Sequence, residues 1–386
     1  MNKIIALAPS KTPTKTPIIA ICSWISALLV LSLLTLGTLI TTYRVGMVDP
    51  IWPTEPWYLL SQSWSEPSAG YFIEHIHRVV GYISGFAILG MILTSFLGTG
   101  TITSKALSAL CIVGVSLGVA IAMTSIDRTK AMADPIGAVN QVKMQTGLGL
   151  ALASAVFLMI QSVNAFRNNE QHAGLQFLAL LSYLGVISQG LLGGLRVYLH
   201  ALVGPELATI HGATGQMVFA LVAGTAILAT FPGAFPKLED KEKRLLPIIG
   251  WTLVVALLFQ LAWAVIVRHG GQPWAQRFHM IGAFIVFGVV AWLSLRMAGA
   301  NHARAFFKPY TILLGLVVFV QVVLGVEAYI GKFATGKPLI QEAVTFGQAT
   351  VRTLHALTGA LLLAIAFAAA LRISQVARYK GLQNEI

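Results

Sequence analysis

With 386 residues, 56% of them apolar and 10% charged, and a mean hydropathy of +0.77, the sequence excludes an ordinary soluble domain and reads as a polytopic membrane protein. The formal net charge of +12 could serve a nucleic acid. The Lys and Arg residues, however, exceed the acidic ones mainly on alternate connections between apolar runs, the pattern that sets membrane orientation, so nucleic acid is excluded as a partner.

The opening MNKIIALAPSKTPTKTP is basic but offers no small-residue cleavage site after its short apolar run, so it reads as the lead-in to a retained first helix. Apolar runs follow near residues 18–42, 72–97, 106–123, 143–163, 174–198, 207–231, 246–267, 277–297, 308–330 and 351–373, each close to the roughly 20 residues that a spanning helix needs. The expected fold is an all-α integral membrane protein of about ten transmembrane helices. Barrel strands would show weaker runs of about ten alternating residues. Cys22 and Cys111 fall inside these runs, which leaves no disulfide framework and no Cys-rich metal motif. An N-terminus on the inner side places the basic segment KLEDKEKR, 237–244, inside as well, with both termini cytoplasmic. The outer loop 47–70 carries Trp52, Trp57 and Trp64, a composition suited to an interfacial belt or to a lid.

The chain repeats itself. IHRVVG around His77 resembles FHMIG around His279, SQGLLGG from Ser188 resembles VQVVLGV from Val320, and IHGATG around His211 resembles LHALTG around His355, in the same order in both halves. His77 and Gln189 are 112 positions apart but His279 and Gln321 only 42, so the first half carries an insertion that matches the two runs at 106–163. The expectation is two pseudo-repeated four-helix bundles, 18–231 and 246–373, with a helical hairpin inserted in the first and the basic loop 232–245 joining them.

Each repeated histidine falls near the outer start of a helix, where an imidazole is costly unless it binds something or bonds a neighbouring helix. At 100° per residue Glu74, Arg78, Gly81 and Gly85 share a stripe with His77 beside them, while His75 points away. His211 is followed by Thr214 and Gly215, and His355 by Thr358 and Gly359. Imidazoles alone would suit zinc, copper or iron. One histidine per helix beside small residues favours a large planar ligand, and two imidazoles from opposing helices satisfy the axial positions of a haem. The metal ligands expected are therefore His77 with His211 and His279 with His355. His75, His172, His200, His269 and His302 lack the repeat and read as loop or interfacial residues. Arg78, Arg196, Arg277 and Arg352 lie beside the motifs, placed to pair with haem propionates or to snorkel. Glu74 has Gln276 as its counterpart in the second half. A carboxylate there either does chemistry or pairs with Arg78 at i+4.

These residues together resemble the haem A synthase family, membrane enzymes that finish haem A for terminal oxidases. The resemblance rests on EHIHR at 74–78, QGLLGG at 189–194, the His-Gly pair at 211 and 212, His279, Gln321 to Gly325, and His355, and it spans most of 18–373. It implies oxidation of a ring methyl of haem O to a formyl group. His77 and His211 would bracket the substrate haem O, His279 and His355 would ligate a permanent haem b, and Glu74 would act at the methyl. It further implies a bacterial cytoplasmic membrane location, a haem O synthase and an electron acceptor as partners, and leaves a homo-oligomer open. Three departures are visible: no cysteine pair in the loop 47–70, an added hairpin beyond the family's eight helices, and Met280 where an Arg often follows the second unit's histidine. A di-haem cytochrome that only passes electrons and a repeat-built transporter without haem are the competing expectations.

Overall fold

The computed structural model describes residues 17–46, 68–98, 101–127, 137–168, 172–203, 206–230, 234–270, 272–333 and 344–379, together with residues 130, 134 and 170. The side chains of 195–203, 206, 269, 270, 332 and 333 are outside that description, as is the tryptophan-bearing loop at 47–67. Ten helices run in chain order: α1 (Pro17–Tyr43), α2 (Ala69–Leu97), α3 (Ile102–Met123), α4 (Gln141–Arg167), α5 (Ala173–Val203), α6 (Glu206–Ala229), α7 (Asp240–Gly270), α8 (Pro273–Ala298), α9 (Arg304–Phe333) and α10 (Phe346–Arg378). All ten are long and apolar enough to cross a membrane. Among the described residues the sole β feature is an isolated bridge between Ile126 and Val139, so the chain is an all-helical integral membrane protein, as its composition demands.

The helices close into two rings. In the first, α1 packs on α2, α2 on α5, α5 on α6 and α6 back on α1; in the second, α7 packs on α8, α8 on α9, α9 on α10 and α10 back on α7. Helix α10 also lies against α6 and α1 and so joins the rings. Its sequence explains this position. Ala360, Ala364, Ala366, Ala368, Ala369 and Ala370 are all buried, and such small side chains let neighbouring backbones approach where lipid and protein interior are equally apolar. Gly250 of α7 faces the Ala370 Cα, and Gly224 of α6 faces Phe367 and Leu371.

Arg372 fastens the same junction. Only 4% exposed, it donates through Nη2 to the Ile227 and Thr230 carbonyls at 2.6 and 2.8 Å and through Nη1 to Gln375 Oε1 at 2.8 Å. A cation there bonds the carbonyls at the end of α6 and meets the negative end of its dipole.

The inserted hairpin α3–α4 sits outside the first ring, on α2 and α5. Its two helices nearly touch at their backbones: a Cβ on Gly118 would lie 2.5 Å from the Gly147 carbonyl oxygen, and one on Gly147 equally close to that of Gly118. Tyr183 of α5, buried, anchors the hairpin by donating to the Ile112 carbonyl at 2.9 Å and sharing a 2.6 Å hydrogen bond with Ser116. The corresponding face of the second ring, α8 and α9, is bare, and Phe284, Ile285, Ile312 and Phe319 are exposed there, as side chains facing lipid are.

Two expectations need correction. The stretch 232–245 is not all loop: α7 begins at Asp240, because Asp240 and Glu242 complement the positive end of the helix and the Glu242 carboxylate accepts from the Glu239 N–H at 3.0 Å. His75 does not lie in a loop. It is fully buried in α2 and stacked on Tyr71 one turn earlier, with ring centroids 5.4 Å apart.

Candidate metal centre

Successive helices alternate in direction, so α2, α6, α8 and α10 start at the same end of the bundle, where α1, α5, α7 and α9 finish. The repeated histidines lie five to nine residues past those starts, about 8 to 14 Å along each axis at ~1.5 Å per residue. Helix caps fix that depth. Ser68 accepts from the Tyr71 N–H to start α2, and Thr345 forms a capping box with Gln348 to start α10.

In the second ring the two histidines meet. Helices α8 and α10 stand on a diagonal of that ring, and the imidazoles of His279 and His355 cross its centre with centroids 6.2 Å apart and planes at 88°. Two metal–nitrogen bonds of about 2 Å in line, plus ~1.1 Å from nitrogen to centroid at each end, place the centroids of a bis-imidazole complex roughly 6.2 Å apart. The spacing thus suits one metal ion between the rings. An aromatic pair in edge contact spans the same range, so the surroundings matter. The Nδ1 of each ring is buried without a hydrogen bond. The backbone carbonyls of Gln260 and Gln321 bear on His279 and His355 respectively but stand outside hydrogen-bond geometry. Each histidine thus has a backbone carbonyl of the adjacent helix bearing on it, the kind of neighbour to which a metal-ligating imidazole directs its second nitrogen.

The packing around these side chains repeats between the rings. Gly193 of α5 faces His211 of α6, and Gly325 of α9 faces His355 of α10; the added Cβ would lie 3.6 Å and 3.0 Å from the imidazole Cε1. Gln189 donates to Thr214 Oγ1 at 2.6 Å, and its counterpart Gln321 bonds to Thr358. His77 rests against Gly37 of α1, whose added Cβ would be 3.3 Å from Cε1. On α8 the Gln260 amide of α7 donates instead to the His279 carbonyl at 2.7 Å.

Glu74 and Arg78 form an ion pair at 2.9 Å, with side chains 9% and 10% exposed. Arg352 donates through Nη2 to the Gly331 carbonyl at 3.3 Å. Arg277 is exposed on α8, and Arg196 lies on α5 with its side chain outside the described residues. Sequence reasoning missed Arg268, at the histidine end of α7, which donates through Nη2 to the Thr38 carbonyl at 3.0 Å and to Thr42 Oγ1 at 3.1 Å. The signal for it was present, a lone charge at the end of an apolar run. Gly37, a single glycine in an apolar helix, carried none.

Among the described residues no group of three or more His, Cys, Asp or Glu converges on one point. Two imidazoles do not complete a tetrahedral protein site; they do complete a metal that arrives with an equatorial ring of its own. Comparison with family models, with curated proteins and with solved structures returns no match.

Proposed function

We propose that the chain is a membrane oxidoreductase of the haem A synthase type, which converts a ring methyl of haem O to a formyl group in the unit of His77 and His211. Haem b is held between His279 and His355 of the other unit. The observation that carries this reading is the His279–His355 pair, whose 6.2 Å spacing suits a haem iron and whose Nδ1 atoms are buried. A haem closed by two histidines supplies electron transfer.

The conversion takes one oxygen atom from water and releases four protons and four electrons, the electrons going to an acceptor outside the chain. The protein's own share falls to Glu74, one turn before His77. Its carboxylate would hold the water, take a proton and stabilise positive charge developing at the methyl, with Arg78 fixing its direction. The reading carries with it a bacterial cytoplasmic membrane, termini on the inner side, a haem O synthase as supplier and sites facing outward.

One observation favours a second reading. Glu74 is already engaged by Arg78 at 2.9 Å, as it would be if the pair were structural and the chain a di-haem cytochrome passing electrons without changing a haem. Both readings are tested by expressing the protein with a haem O source, recording the absorption spectrum of the purified chain and extracting its haem for mass analysis. A low-spin haem b spectrum with haem A in the extract supports the enzyme. The same spectrum with haem O unchanged supports the cytochrome, and a colourless chain that takes up no added haem ends both.

A further inference from the structure

The histidine end of the second ring holds two half-buried guanidiniums that no carboxylate among the described residues neutralises. Arg268 and Arg352 are half-buried, and among the described residues neither is in an ion pair. Their bonds go to neutral oxygens, Thr38 and Thr42 for Arg268 and Gly331 for Arg352, and the Arg352 Nε is buried with no hydrogen-bond partner among the described residues. They repel each other, Arg44 adds to the repulsion on Arg352, and Arg268 acts in turn on the His355 imidazole. Arg44 is itself the left-handed residue, φ 55°, just past the end of α1, with the following Val45 N–H on the Ile40 carbonyl. Like charges gathered in a low-dielectric setting are costly, and an anion binding among them removes both the repulsion and the unmet donors.

Position narrows the anion. Arg352 precedes His355 by three residues, one turn nearer the end of the same helix, so its guanidinium and the imidazole share a face of α10. Arg268 reaches the same region from α7. A ligand centred between His279 and His355 would therefore present one edge to both cations.

We infer that Arg268 and Arg352 form a clamp for a pair of carboxylates on one edge of a tetrapyrrole held between His279 and His355. Arg268 is pre-oriented for this by Thr38 and Thr42 of α1. The inference rests on the haem reading above. It moves the expected anion contact from Arg277, which is exposed, to Arg268, and it ties the second unit's ligand to the helix whose Gly37 seats His77. The shared chemistry, a closely spaced dianion, is also offered by a lipid headgroup phosphate.

The test uses the full chain carrying His77→Ala, so that the second unit reports, purified without haem and titrated with haem b and with its dimethyl ester while the low-spin absorption is followed. Charge-assisted hydrogen bonds of this kind correspond to a preference for the free acid of about ten- to a hundredfold. Arg268→Gln with Arg352→Gln should bring that preference close to one while leaving ester affinity unchanged, and the corresponding Lys pair should retain most of it. An equal preference with and without the two arginines overturns the clamp. So does retention of the preference together with loss of co-purifying anionic lipid, which would assign the site to a headgroup phosphate. Uptake of neither haem form by the otherwise folded chain sinks the haem reading itself, a different result from haem uptake without discrimination.

Discussion

The imidazoles of His279 and His355 stand across the centre of the second ring with centroids 6.2 Å apart and planes nearly perpendicular, although one belongs to α8 and the other to α10, 76 residues later. Two helices on a diagonal of a four-helix ring bring single side chains together without packing on each other. That geometry leaves space between the backbones, and the two imidazoles occupy it.

On the proposed reading, replacement of His279 or His355 should remove the low-spin haem b spectrum. His279→Ala and His355→Ala are each expected to abolish it, measured on protein purified from haem-replete cells. A spectrum lost with His77→Ala alone and kept with both of these would exchange the roles of the two rings.

Glu74→Gln separates enzyme from cytochrome. The amide keeps a hydrogen bond to Arg78 but can neither take a proton nor carry charge. The variant should retain the haem b spectrum while conversion of haem O falls by about a hundredfold or more, the typical contribution of a general base. Haem A accumulating at the unmutated level would leave the Glu74–Arg78 pair a purely structural feature.

Gly325 should tolerate nothing larger. Its Cβ would already lie 3.0 Å from the His355 Cε1, so Gly325→Val would push the ring off the axis it shares with His279. The expected result is a shift from low-spin to high-spin absorption at unchanged protein yield; an unaltered spectrum would mean that α9 yields and the glycine is dispensable.

Arg372→Ala is predicted to destabilise the junction of the rings by about 3 kcal/mol, the sum of several charge-assisted bonds lost from a buried site. Thermal denaturation in detergent should show the drop, with Arg372→Lys intermediate. An unchanged transition would mean that water replaces the guanidinium at the end of α6.

How much of this was legible beforehand follows from what each feature depends on. Spans are a matter of length and composition, and all ten were readable, because hydrocarbon demands an unbroken helix whatever the neighbours. Gln189 and Gln321, and Thr214 and Thr358, were readable as members of repeated motifs, but the bonds of Gln189 with Thr214 and of Gln321 with Thr358 were not, because they depend on which faces of neighbouring helices meet. Those faces were not readable. Lipid and protein interior are equally apolar, so the pattern along α10 does not announce that it touches α1, α6, α7 and α9. The start of α7 at Asp240 was hidden because its first turns are charged like a loop, and burial of His75 because a polar residue on the far side of a helical stripe reads as exposed.

The place of α10 in the chain has a consequence for biogenesis. The first ring draws on α1, α2, α5 and α6, and every one of its members is synthesised before the second ring begins. That second ring stays open until α10 enters the bilayer, and α10 brings His355, Arg352 and Arg372 with it in one segment. Insertion of this single helix therefore closes the second ring and fastens it to the first together, so a chain stalled before it would hold an assembled front half and a back half that, on the proposed reading, still lacks one of its two haem-binding histidines.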